Sequence, residues 1–154
     1  MNNYFISKLN LVNFRNINDQ LVEFANGINC IFGNNGNGKT NLLEAIYYLV
    51  NKKSFKKNTS FQQLINVECE EPQILLSSLF KSPDEPDIMF SGKINQLGSE
   101  WFLDNKPYKK KLDLKTVFIN PFDSFLFHTT SSYRRNWVDT HISLLSKEYK
   151  GILN

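Results

Sequence analysis

Eight consecutive residues, Gly33-Asn34-Asn35-Gly36-Asn37-Gly38-Lys39-Thr40, are the part of this 154-residue sequence best equipped for chemistry. They satisfy G-x-x-x-x-G-K-[ST], the pattern of a phosphate-binding loop. The glycines let the backbone turn so that successive N–H groups face inward around phosphate oxygens. A helix opening at the loop adds the partial positive charge of its N-terminus, with Asn41 in its first turn. In this arrangement Lys39 bridges the β- and γ-phosphates, and the Thr40 hydroxyl ligates Mg²⁺. The plainer reading of the same residues is a glycine-rich turn followed by an incidental Lys-Thr. A GTPase would also need an N-K-x-D box after a D-x-x-G. Asn51-Lys52-Lys53-Ser54 and Asn105-Lys106-Pro107-Tyr108 both fail at the fourth position, and no D-x-x-G occurs, so ATP is the expected nucleotide.

Such a loop works only between a buried strand and a helix, and the flanking sequence offers both. Ile28–Phe32 is a short, mostly apolar run suited to a sheet interior. Asn41–Val50 places Leu42, Leu43, Ala45, Ile46, Leu49 and Val50 at helical spacing. Before them, Phe5–Phe14 alternates as a half-buried strand, Gln20–Ala25 reads as a second, and Asn26-Gly27 is a turn of the hairpin kind. After them, residues 51–60 read as a polar, basic loop. Ile74–Phe80, Ile88–Ile94, Glu100–Leu103 and Thr116–Ile119 are short strand candidates. Tyr133–Leu145 reads as a helix with Trp137, Val138, His141, Ile142 and Leu145 on one face.

Hydrophobic residues at 41% and charged residues at 21% are globular proportions and exclude a largely disordered chain. No apolar run approaches the roughly 20 residues of a membrane span. The N-terminus lacks the basic and apolar regions of a signal peptide, so a soluble cytoplasmic protein without a membrane partner is expected. Cys30 and Cys69 have no metal-ligand or disulfide spacing, which predicts buried free thiols. His128 and His141 likewise have no partner at ligand spacing, and the 13 phenylalanines suit a core better than base stacking. The net charge of +3 is mild, but lysines gather at Lys52, Lys53, Lys56, Lys57 and at Lys106, Lys109, Lys110, Lys111, Lys115. These runs are either solvated loops or contacts to a nucleic-acid backbone, where each phosphate contact adds to salt sensitivity.

Several segments together resemble the RecF family, ABC-type ATPases of bacterial recombinational repair related to the SMC proteins. They are Leu9-Asn10-Leu11-Val12-Asn13-Phe14-Arg15-Asn16, the loop running on into Thr40-Asn41-Leu42-Leu43-Glu44-Ala45-Ile46, Pro121-Phe122-Asp123, and Arg134-Arg135-Asn136-Trp137-Val138-Asp139. The resemblance covers nearly the whole chain but only the first part of a family member. It implies a nucleotide contact for Arg15, with a surface arginine closing a strand as the alternative. It places Asp123 near a Mg²⁺- and water-sensing segment, although Phe122 stands where the family usually has Glu, and an Asp-capped turn fits equally. Arg134 and Arg135 would grip a phosphate or pair with Asp139 one turn on.

The expected fold is accordingly α/β: a P-loop NTPase of the ABC/SMC-head type, with an antiparallel β lobe packed beside the P-loop sheet and helix. Residues 1–130 would form the N-terminal lobe of the head, and 131–154 the start of a shortened helical arm. The resemblance implies ATP-dependent binding of gapped or junction DNA by an ATP-dependent homodimer, and RecA loading with RecO and RecR. Neither a hydrophobic strand ending in paired acids nor a Ser-Gly signature is found. The chain by itself is therefore expected to bind ATP weakly at best and not to hydrolyse it. The alternatives are the head of another SMC-like or defence-type ATPase, or a non-catalytic interaction module that keeps the nucleotide fold.

Overall fold

The computed structural model describes residues 3–112, 114, 116–119, 128 and 130–152. Two compact units are formed, Met1–Asp113 and Leu114–Asn154. In the first, six antiparallel strands make one sheet in the order β2-β1-β3-β4-β5-β6. The strands are β1 (Phe5–Phe14), β2 (Ile17–Glu23), β3 (Ile74–Lys81), β4 (Ile88–Asn95), β5 (Gly98–Leu103) and the two-residue β6 (Lys106–Pro107). Helix α1 (Lys39–Asn51) lies against β1 and β3, and the single-turn α2 (Phe61–Leu64) follows it. In the second unit, α3 (Ser131–Leu145) leads into α4 (Lys147–Ile152).

Strand periodicity explains the sheet. Ile74, Leu76, Ser78 and Phe80 of β3 and Phe90, Gly92 and Ile94 of β4 point to the buried face, while Leu75 and Met89 point away. Leu9, Leu11 and Phe14 continue that face on β1, and Leu42, Ala45, Leu49 and Val50 of α1 cover it. The closing hairpin turns through Asp104 (φ 48°) and Asn105 (φ 62°), the pair of positive φ angles that a two-residue primed turn requires.

Trp101 shapes the centre of this core. Its ring stacks on Phe90 at 5.3 Å and on Tyr48 of α1 at 6.3 Å. The space for it exists because its cross-strand partner is Gly92. A Cβ at that position would stand 2.5 Å from the indole ring. Gly92→Ala is therefore expected to destabilise the first unit by about 1–3 kcal/mol through overpacking, read as a lower urea midpoint at unchanged slope. A midpoint within error of wild type would mean that the ring moves freely, against the tight packing described.

Several expectations need correction. Ile28–Phe32 is not a paired strand, and Ile28 and Phe32 are each 93% exposed. A strand needs a neighbour to take its backbone N–H and C=O groups, and among the described residues none lies beside this run. The described part of the first unit holds α1 against one six-stranded antiparallel sheet. Thr116–Ile119 likewise belongs to none of the strands formed by the described residues, and Val117 and Ile119 are exposed. Cys30 is exposed and Cys69 half-buried, so both thiols are free but neither is buried. The hairpin after β1 turns at Arg15-Asn16. Asn26-Gly27 instead forms a bend that the Asn29 side chain ties to the Ala25 backbone at 2.9 Å.

Candidate functional site

The predicted phosphate loop runs directly into α1. Gly33, Gly36 and Gly38 take φ angles of 149°, 90° and 83°, which only glycine adopts without strain. Gly38 stands at the N-cap, no side chain caps the helix, and its first turn carries no acid. The partial positive charge of a 13-residue helix is therefore left for an incoming anion. Lys39 donates from Nζ to the carbonyls of Gly33 (2.8 Å) and Asn34 (2.7 Å), so its ammonium is held across the loop. Thr40 is exposed in the first turn of α1. Asn34, Asn35 and Asn37 are exposed along the loop, and the Asn37 N–H donates to the Asn34 carbonyl at 3.3 Å. Glycines, lysine and uncapped helix end together fit a polyphosphate. Among the described residues no cluster of three or more His, Cys, Asp or Glu side chains offers a separate metal site.

Asn41, in the first turn of α1, joins a hydrogen-bonded chain to the loop. Its Nδ2 donates to Oδ1 of Asn16 at 2.8 Å, and Asn16 in turn donates from Nδ2 to the Gly36 carbonyl at 3.0 Å. The β1–β2 turn is thereby joined to the phosphate loop. An open cleft of about 540 Å³ starts here, lined in part by Arg15, Asn16, Asn41, Gln63, Asn66 and Glu68.

Arg15 is neither a surface residue nor free. Its Nη2 and Nε donate to Glu44 at 2.7 and 3.2 Å, and its Nη1 donates to the Gln63 carbonyl. Three of its five N–H donors are thus used, leaving two for the cleft. Glu44 is fully buried on α1 and also accepts from Lys56 Nζ at 2.8 Å and Ser54 Oγ at 2.6 Å. Burial pushes its carboxyl pKa up, but the hydrogen bonds from Arg15, Lys56 and Ser54 outweigh burial and hold it below the ordinary glutamate value. Sequence reasoning assigned no role to Glu44 or Asn16. The one available signal was an acid set among the apolar residues of α1, where it needs a cation partner.

The two lysine runs meet in space. Lys52 caps α1 in the left-handed region (φ 56°) and donates to the carbonyls of Tyr108 (3.3 Å) and Lys109 (3.4 Å). Its ammonium lies 5.1 Å from the Trp101 ring centroid and within 6 Å of those of Phe90 and Tyr108. Burial and the nearby Lys111 both lower its pKa. Lys53, Lys109, Lys110 and Lys111 stand exposed around it. In the second unit, Asp139 accepts a hydrogen bond from the Tyr149 hydroxyl at 2.6 Å, and His141 stacks on Trp137 at 3.9 Å. Pro121, Phe122 and Asp123 lie outside the described residues.

The model of the RecF/RecN/SMC N-terminal domain family matches residues 5–120. The "DNA replication and repair protein RecF" of Azobacteroides pseudotrichonymphae genomovar. CFP2 is 35% identical over 150 residues, covering 94% of this chain and 40% of that protein. The solved structure of "the recombination mediator protein RecF-ATPrS in RecFOR pathway" has a TM-score of 0.78 at 27% identity, covering 98% of this chain and 41% of that one. A structure from work on "ATP-driven dimerization and DNA stimulated activation of SMC ATPases" has a TM-score of 0.70 at 20% identity, covering 92% and 99%, a likeness of fold. The chain spans about 40% of the length of the RecF relative it matches. The architecture is that of the P-loop heads of ABC/SMC type. No helix among the described residues is long and apolar enough to cross a membrane.

Proposed function

The chain belongs to the RecF/RecN/SMC N-terminal domain family, and from that premise we propose that it is the ATP-binding part of a RecF-like DNA repair protein. The observation that carries this reading is the phosphate loop: three glycines at positive φ, Lys39 across the loop, and an uncapped helix N-terminus behind it. Lys39 takes the β- and γ-phosphates, the loop N–H groups of residues 33–40 surround them, and Thr40 holds Mg²⁺. The cleft beside the loop takes the nucleoside half. Its Gln62 and Gln63 amides can pair with the N6 and N7 edge of adenine, and Arg15 has two N–H donors left. A Mg²⁺- and water-sensing role for Asp123 belongs to the same proposal.

The DNA part of the reading is supported by the joined lysine runs. Lys52 fixes the backbone at Tyr108 and Lys109, so Lys53, Lys109, Lys110 and Lys111 form one cationic surface instead of two separate loops. We place the phosphate backbone of gapped or junction DNA there. ATP-dependent homodimerisation, and RecA loading with RecO and RecR, complete the proposal for the whole protein. Changing Lys109, Lys110 and Lys111 together to alanine is expected to weaken DNA binding. The slope of log affinity against log salt should fall by roughly one unit per lysine that contacts a phosphate, with ATP affinity unchanged. An unaltered salt slope would remove this surface from the interface.

A further inference from the structure

Asn16 sits at the β1–β2 turn, outside the phosphate-loop motif, yet touches that loop at two places. Its Nδ2 donates to the Gly36 carbonyl at 3.0 Å. Its Oδ1 accepts from Asn41 Nδ2 at 2.8 Å and lies 2.9 Å from where a Cβ on Gly38 would stand. One planar amide thus engages the middle of the loop, its last glycine and the first turn of α1. The link to Gly36 has a chemical consequence. A peptide unit whose carbonyl is drawn outward to a fixed donor presents its N–H partners to the opposite side, and the cradle needs those N–H groups facing the phosphates. The neighbouring Arg15 is anchored to buried Glu44, so the turn that carries Asn16 is itself held rigidly.

We propose that Asn16 is a positioning residue for the nucleoside triphosphate: its amide holds Gly36 and Gly38 in the phosphate-binding conformation without touching the phosphates. This rests on the nucleotide-site reading above. The role needs a donor and an acceptor on one short side chain. Asn16→Asp keeps the shape, removes the donor to Gly36 and sets a negative charge beside the polyphosphate. Asn16→Ala removes both hydrogen bonds and adds no charge. Because Asn16 is exposed, neither change disturbs the core.

The test is equilibrium binding of fluorescent ATP, ADP and AMP to the complete protein and its two variants, with thermal melting of each. Asn16→Asp is expected to weaken ATP binding on the order of 100-fold and Asn16→Ala about tenfold, with melting temperatures unchanged. The loss should shrink from ATP to AMP as fewer phosphates meet the loop. Wild-type ATP affinity in Asn16→Asp, an equal loss for ATP and AMP, or a loss that follows a falling melting temperature would each overturn the assignment. Failure of the unmodified protein to bind ATP would instead overturn the nucleotide reading, and this inference with it.

Discussion

Lys39→Ala in the complete protein is expected to abolish ATP-dependent DNA binding. The ammonium is the one side-chain cation held within the loop itself, and it is already bonded to the carbonyls of Gly33 and Asn34. On binding, those neutral acceptors give way to phosphate oxygens, a stronger charge-assisted pairing. A hydrogen bond to a charged group contributes about 1.5–3 kcal/mol, so losing even one lowers ATP affinity by roughly ten- to 150-fold. The fold should survive, because the lost contacts lie on the surface of an intact helix start. The measurement is DNA binding with and without ATP, beside direct ATP titration. A variant that keeps the normal ATP-dependent increment would sink the reading of this loop as the nucleotide site.

The second large effect is one of stability. Glu44→Ala leaves Arg15 and Lys56 without their shared carboxylate at a site where Glu44 has no solvent exposure. Breaking a buried pair by removing one partner costs about 3–5 kcal/mol, a large fraction of a domain's total stability. Glu44→Gln, which keeps the shape, separates charge from packing. Because the folded-state pKa of Glu44 is lowered from the ordinary 4.5, its ionic contribution is fully present above 4.5 and is lost as pH falls through the folded value. The gap in urea midpoint between wild type and Glu44→Gln is therefore expected to be wide at neutral pH and to close in acid, where a protonated Glu44 resembles glutamine. A gap that stays constant across that range would show that the carboxylate's charge is not what holds Arg15 and Lys56.

What the sequence determined by itself is whatever depends on neighbours in the chain. The phosphate loop was readable because its requirements are written in eight adjacent residues: glycines where φ must be positive, a lysine and a hydroxyl at the start of a helix. The amphipathic α1 and the alternating β1, β3 and β4 were readable for the same reason, since side-chain periods of 3.6 and 2 are local properties. Tertiary structure decided the pairings between distant residues. It gave Arg15 to Glu44, 29 positions away, and placed Asn16 on Gly36, 20 positions away. It set Lys52 against Tyr108 across 56 positions and left Ile28–Phe32 without a neighbouring strand. An arginine, an asparagine or an apolar run carries no mark of which partner it will meet. That partner is fixed only when the sheet register closes the long loops and brings particular backbone and side-chain groups within bonding distance.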